Sequence, residues 1–411
     1  MPQPRVDEQD EGFLSLAEDF RKTRALSEAL AAPLSDADAT IQSMEDASPV
    51  KWHLAHTTWF WETFLLRDHA PDYRLWREDW PFLFNSYYEA EGERIARFSR
   101  GLLSRPTLAE IAEWRAHVTG AMDTLLDDPA HGPLVRLGIA HEQQHQELLL
   151  TDIKHALFHN PTGPAMFDAD LNCSARTTEN GWHQHPGGIA LIGHDGEGFA
   201  FDNEGPRHRA LLEPFALADR LVTNGEWQAF IDDGGYRDAR LWLSDGWAWV
   251  NANTITAPLY WRDGDHFTHS GWQERTADAP VTHISYYEAD AYATWASARL
   301  PTEFEWEAIA QGHDAAGGNQ LDAARDPLPL GGTDLFGDCW QFTRSAYLPY
   351  PRFRAADGAV GEYNGKFMSG QFVLKGASCA TVRGHSRSSY RNFFYPHQRW
   401  QFTGLRLAKD V

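Results

Sequence analysis

The chain has 411 residues, 42% of them hydrophobic, and a formal net charge of -22. That length allows two or three domains with separate cores, and the acidic balance argues against nucleic acid or an anionic membrane as partner. No stretch approaches the roughly 18 apolar residues of a membrane span. The first residues lack the charged and apolar regions of a signal peptide. Three scattered cysteines, Cys173, Cys339 and Cys379, form no CxxC pair, so a reducing cytoplasm is the expected location.

Four long segments before residue 160 carry helical periodicity. Residues 12–32 space Phe13, Leu16, Phe20, Leu26 and Leu30 along one face. Residues 49–69 follow Ser48-Pro49, which reads as a cap and a proline in the first turn. Residues 107–127 begin at Thr107 and repeat Ile111, Trp114, Val118 and Met122. Residues 133–159 contain His141-Glu142-Gln143-Gln144-His145-Gln146-Glu147. Four such segments predict an antiparallel bundle, in which ligands from facing helices converge on a core site. Residues 161–186 are a polar, proline-containing linker. Beyond it short apolar runs alternate with Gly, Asn and Asp, and helices are predicted at Asn224–Asp233, Tyr286–Arg299 and Thr302–Gln311. The pattern is that of an α+β domain with much irregular chain.

Residues four apart on a helix share a face, so the imidazoles of His141 and His145 converge. Two neutral imidazoles are a minimal scaffold for a first-row transition metal. The second helix offers His53 and His56, either of which could complete a three-histidine site. A histidine beside tryptophans is commonly a core residue bonded to a neighbour, but the HxxxH pair and a histidine-bearing partner helix favour a metal. HEQQH also matches HExxH, the zinc-hydrolase pattern in which Glu142 would be the base. Three imidazoles without a carboxylate would instead suit Fe(II) with positions left open for substrate, a soft sulfur or selenium ligand, and O2.

Ser48-Pro49-Val50-Lys51-Trp52-His53-Leu54-Ala55-His56, Phe84-Asn85-Ser86-Tyr87-Tyr88-Glu89 and the His141–Glu147 segment resemble the bacterial ergothioneine-biosynthesis sulfoxide synthases. Phe201-Asp202-Asn203-Glu204-Gly205-Pro206-Arg207-His208, Arg299-Leu300-Pro301-Thr302-Glu303-Phe304-Glu305-Trp306 and Gly404-Leu405-Arg406-Leu407-Ala408 look like the formylglycine-generating-enzyme fold, a relative of C-type lectins. The resemblance implies an α+β protein of two domains. A DinB-like four-helix bundle at 1–160 would carry the iron ligands, and a formylglycine-generating-enzyme-like domain at 187–411 would complete the substrate pocket. It further implies a non-heme Fe(II), O2-dependent enzyme joining a thiol to C2 of the imidazole of hercynine (Nα-trimethylhistidine).

By motif the implied iron ligands are His56, His141 and His145, with His53 a neighbour. Gln144 matches a contact to the substrate imidazole, and Tyr87 or Tyr88 the proton donor. Arg94 and Arg97 match arginines that hold the donor's carboxylate, for which a guanidinium fork is suited. Asn392 and Phe393 match the hercynine pocket, where an aromatic face could hold the trimethylammonium. The surrounding basic run, Arg383, Arg387 and Arg391, suggests a carboxylate pocket, although internal salt bridges would look the same.

Several positions depart from the family pattern. Cys339-Trp340-Gln341-Phe342 stands where Trp-Glu-Trp is usual, Ile95-Ala96 where His-Pro is usual, Tyr395-Pro396 where Pro-Pro is usual, and Ser369 where cysteine is common. These departures border the donor side, so the related selenoneine synthases, which join a selenosugar to hercynine, offer the alternative of a selenol donor. The formylglycine-forming reaction needs a cysteine pair that Cys339 and Cys379 do not match, and Cys379 reads as a small buried residue.

Overall fold

The computed structural model describes residues 15–169, 174–176, 178–355, 361 and 364–411, and Cys173 and the first turn of the first predicted helix lie outside them. Four long helices precede every described strand: α1 (Leu16–Ala31), α2 (Val50–Trp61), α3 (Leu108–Leu126) and α4 (Gly132–His159). α1 and α3 start on capping boxes, Ser15 with Glu18 and Thr107 with Glu110, which satisfy the first free N–H groups of each helix. α2 starts differently from the sequence expectation. Pro49, not Ser48, is its N-cap. Ser48 is engaged elsewhere, its N–H donating to Asp152 and its hydroxyl accepting from Arg100.

Every residue of α2 is buried, which marks it as the central helix of the bundle. Trp52, Trp59 and Trp61 bury almost their whole surfaces there. Each covers on the order of 200 Å², or about 5 kcal/mol before entropy is charged. α2 continues through a π-helical stretch, Glu62–Arg67, a geometry common near functional sites. It packs on α3 and α4, and α1 packs on all three.

The remaining chain forms helices α5 (Asn224–Asp232), α6 (Ser244–Ala252), α7 (Tyr286–Trp295) and α8 (Glu303–Ala310) among small sheets. α5, α7 and α8 each start on a Ser/Thr–Glu capping box. α7 ends four residues before the predicted Arg299, because Ser297 adopts a left-handed conformation (φ 53°) that a helix cannot continue. The central sheet has the order β3-β2-β1-β4, where β1 is Trp340–Ala346, β2 Phe372–Gly376, β3 Asn392–Phe394 and β4 Thr403–Gly404. β4 runs parallel to β1, and the other pairs are antiparallel.

α4 is the shared wall between the two halves of the chain. Its Gln143, Gln144, Glu147 and Lys154 bond respectively to His385, Tyr390, Trp340 and His283 of the second half. One helix thus fixes where the strand-rich part sits against the bundle.

Candidate metal centre and substrate cavity

α2 and α4 bring His56, His141 and His145 together, all buried, with their candidate ligand nitrogens within 4.8 Å of one another. It is the only such group among the described residues. The Nε2 atoms of His56 and His141 lie 3.2 Å apart. His56 is fixed by its Nδ1, 2.6 Å from the Phe84 carbonyl, and its ring stacks on Trp52 at 4.6 Å. Burial pushes all three imidazoles down in pKa, His141 to about 3. They are therefore neutral at physiological pH, with lone pairs available to a metal. His53, one turn before His56, is not one of the three and instead backs His145, its Nδ1 lying 2.9 Å from His145 Nδ1.

Glu142 points to the opposite side of α4. It accepts from Arg24 (2.9 Å), Arg115 (2.9 Å), Ser27 (2.7 Å) and Trp61 Nε1 (2.7 Å), and is fully buried. The two guanidiniums hold its carboxyl below the usual range against the opposing effect of burial. This carboxylate pins α1, α2 and α3 to α4 and has no path to the histidine cluster, so it cannot act as the base of an HExxH hydrolase.

The histidines open onto a cavity of about 260 Å³ lined from both halves of the chain. Of the residues singled out in the sequence, Tyr87, Tyr88, Arg97, Gln144, Asn392 and Phe393 line it. Gln144 Nε2 donates to Tyr390 Oη at 2.6 Å. Tyr88 is buried against Trp59 and Phe64. Tyr87 sits farther out, its ring edge-on to Phe367 and its carbonyl accepting from Lys366. Phe393 stacks on Tyr347 at 4.2 Å. Arg94 is not part of the lining, and it forms an ion pair with Glu89 at 2.7 Å.

The basic run near the C-terminus is internally paired, correcting the carboxylate-pocket expectation for it. Arg383 bonds Asp322, Arg387 bonds Glu204 and Arg391 bonds Glu303. Cys339 and Cys379 are free and buried, and burial raises both thiols above their ordinary range.

Arg100 and Glu147 are among the cavity residues that the sequence reading did not single out. Arg100 is 3% exposed, stacks on Trp52 at 3.4 Å, and donates to Ser48 (2.9 Å) and Ser86 (3.1 Å). It forms no ion pair with a carboxylate among the described residues, and burial pushes its pKa down to about 9. Glu147 accepts from Trp340 Nε1, Ser378 and Thr381, all neutral donors. Burial raises its carboxyl above the ordinary range. A Glu two residues past a candidate ligand His was the available signal for Glu147; Arg100 had only its spacing of three from Arg97.

The DinB superfamily matches residues 19–149, and the Sulfatase-modifying factor enzyme 1-like domain matches residues 169–327. The chain is 34% identical over 401 residues to the hercynine oxygenase of Mycolicibacterium smegmatis, covering 89% of this chain and 91% of that one. It is 33% identical over 414 residues to the hercynine oxygenase of Mycobacterium tuberculosis, covering 92% and 94%. The chain belongs to the hercynine oxygenase family of ergothioneine biosynthesis. A further relative, ergothioneine biosynthesis protein 1 of Schizosaccharomyces pombe, is 26% identical over 234 residues, 52% of this chain and 28% of that one. Within the hercynine oxygenase family this chain keeps the two-domain α+β architecture.

The departures from the family pattern divide by position. Trp340 lines the cavity and anchors Glu147, whereas Gln341 lies in the core, accepting from Trp306 and Arg406. Tyr395 lines the cavity, and Ser369 is exposed and outside the lining.

Proposed function

We propose that this chain is a non-heme iron, O2-dependent enzyme that joins a thiol to C2 of the hercynine imidazole. The overall balance is RH + R′SH + O2 → RS(O)R′ + H2O. The observation that carries this reading is a cluster of three buried neutral imidazoles opening onto a cavity whose lining includes the Glu147 carboxylate and the Arg97 and Arg100 guanidiniums. The donor set fits ferrous iron: three borderline nitrogen ligands and no carboxylate among them leave coordination positions for exogenous groups. Bound by His56, His141 and His145, the iron would activate O2 and hold the two substrates side by side.

The protein's own groups account for binding and orientation. Glu147 has only neutral hydrogen-bond donors, so its negative charge is available to a quaternary ammonium in the cavity. Trp340 and Tyr390, ring centroids 5.3 Å apart, add aromatic faces on the same wall. In this reading Gln144, between the two ligand histidines, bonds the substrate imidazole, and its bond to Tyr390 restrains its side chain. Asn392 and Phe393 line the same cavity. Arg97 and Arg100 supply cations for a carboxylate of the thiol donor. Tyr88, the buried member of the pair and a lining residue of the same cavity as the histidines, is the proton donor in this reading, since a phenol can deliver a proton to reduced oxygen.

The test is a product assay by mass spectrometry with hercynine, Fe(II) and O2. Cysteine, γ-glutamylcysteine and a selenosugar would be offered in parallel. A sulfoxide of hercynine with either thiol is the expected product. Product from the selenosugar alone would replace the sulfur donor with selenium, and no hercynine-dependent O2 uptake with any donor would overturn the proposal.

A further inference from the structure

We infer that His53 and Asp152 form a relay behind the metal ligand His145, which makes both of them positioning residues for the metal. The inference rests on the three-histidine metal site proposed above and concerns how that site is held. His53 Nδ1 lies 2.9 Å from His145 Nδ1, and His53 Nε2 lies 3.1 Å from Asp152 Oδ2. His53 and Asp152 are buried, at 3% and 5% exposure.

The tautomers follow by elimination. His56 Nδ1 faces the Phe84 carbonyl, which can only accept, so His56 carries its proton there and offers Nε2 to the metal. His145 has Nδ1 turned to His53, which leaves Nε2 as the nitrogen for the metal. A neutral imidazole has one N–H. With its Nε2 lone pair given to the metal, His145 carries its proton on Nδ1 and donates it to His53 Nδ1. His53 must then carry its own proton on Nε2, where the Asp152 carboxylate accepts it. A single set of tautomers satisfies every contact.

Asp152 is itself fixed from two directions. Its Oδ2 accepts from the Ser48 N–H at 2.7 Å and its Oδ1 from Trp400 Nε1 at 3.1 Å. Helical geometry explains the placement. His53 precedes His56 by three residues on α2, and Asp152 follows His145 by seven on α4, so each shares a face with its ligand. A ligating histidine usually gives its second N–H to a carboxylate or carbonyl, which fixes the ring and raises ligand basicity. Here one imidazole is interposed. The carboxylate charge acts on His145 through His53, and Trp400 ties that charge to the second half of the chain.

The experiment measures Co(II) binding to the full-length, metal-free protein by competition with a chelator, together with the visible absorption of bound Co(II). Asp152→Asn and His53→Leu should each weaken binding about 10- to 100-fold and shift the absorption bands. His53→Gln, which offers a carbonyl to His145 and an amide to Asp152, should bind within about threefold of wild type. The double variant His53→Leu/Asp152→Asn should be no weaker than the weaker single variant, because one relay can be broken only once.

Wild-type affinity and spectrum in both single variants, with binding abolished in His56→Ala, would overturn the relay and leave the metal site standing. Additive losses in the double variant would overturn it too. Unchanged binding in His56→Ala would show instead that the three-histidine site itself is wrong. Should Asp152→Asn fail to fold, the comparison of His53→Leu with His53→Gln decides the matter.

Discussion

Replacing Glu142 with glutamine separates a structural carboxylate from a catalytic base. All four partners of Glu142 donate to it: Ser27 and Arg115 to Oε1, Arg24 and Trp61 to Oε2. Whichever way the new amide turns, its NH2 faces two donors, one of them a guanidinium. The variant therefore loses at least one guanidinium hydrogen bond, since the Ser27 hydroxyl can turn to accept from the amide, and leaves two buried guanidiniums without their shared counter-charge. Breaking a buried ion pair by removing one partner costs about 3–5 kcal/mol. At about 2–4 °C per kcal/mol for a unit of this size, the bundle should melt roughly 6–20 °C lower. Thermal unfolding by circular dichroism reads this directly, and turnover is then measured well below both transitions. Metal content and turnover there should stay close to wild type. A Glu142→Gln protein that melts within about 2 °C of wild type but has lost its turnover would refute the structural assignment.

Four other outcomes follow from the same geometry. His56→Ala should reduce bound iron to background and abolish O2 uptake, with metal analysis as the check. Tyr88→Phe should lower kcat by about 10²- to 10⁴-fold, the usual contribution of a positioned acid, whereas Tyr87→Phe should have a smaller effect. Equal, negligible effects would remove the role from both. Arg100→Met should raise KM for the donor about 10-fold or more, as expected from losing charged hydrogen bonds, and leave KM for hercynine unchanged. Lys154 is buried beside His283, and burial pushes its pKa from 10.5 down to about 8. The unfolded chain holds that proton up to about pH 10.5, so this group destabilises the fold fully below pH 8 and progressively less above it. The shift corresponds to about 3 kcal/mol. Urea unfolding should find Lys154→Met more stable than wild type at pH 7, with the gap closing by pH 10. A gap independent of pH would contradict this.

The long helices were legible because their ends are written locally. Ser15 with Glu18 and Thr107 with Glu110 are capping boxes visible as letters. The His141–His145 pair was legible for the same reason, since four-residue spacing fixes a shared face. The choice between His53 and His56 was not legible from spacing, because residues three apart point nearly the same way. Packing of α2 on α4 decides it, turning His56 Nε2 to His141 and His53 to Asp152.

The arginines near the C-terminus misled for the opposite reason. Their counter-charges Asp322, Glu204 and Glu303 lie 61, 183 and 88 residues away, which no local pattern reveals. Arg100 was missed likewise, because Ser48, Trp52 and Ser86 surround it only after the loop folds onto α2.

One helix explains why seven consecutive residues carry three different kinds of work. At 3.6 residues per turn, successive positions of α4 face different neighbours. His141 and His145 face α2 and form the cluster with His56. Glu142 and Gln146 face α1, Glu142 through Arg24 and Ser27, Gln146 through Thr23 and Ser27. Gln143, Gln144 and Glu147 face the strand-rich half through His385, Tyr390 and Trp340. The resemblance to HExxH is thus a coincidence of letters: on this helix the glutamate belongs to the face that holds the bundle together. The same geometry makes the cavity a property of the whole chain, since its lining takes the three histidines from the bundle and Trp340, Tyr390, Asn392 and Phe393 from the second half. A substitution that loosens the docking of α4, such as Glu147→Leu against Trp340, Ser378 and Thr381, would therefore weaken substrate binding and leave the histidine cluster, whose three members all lie on α2 and α4, able to take up metal.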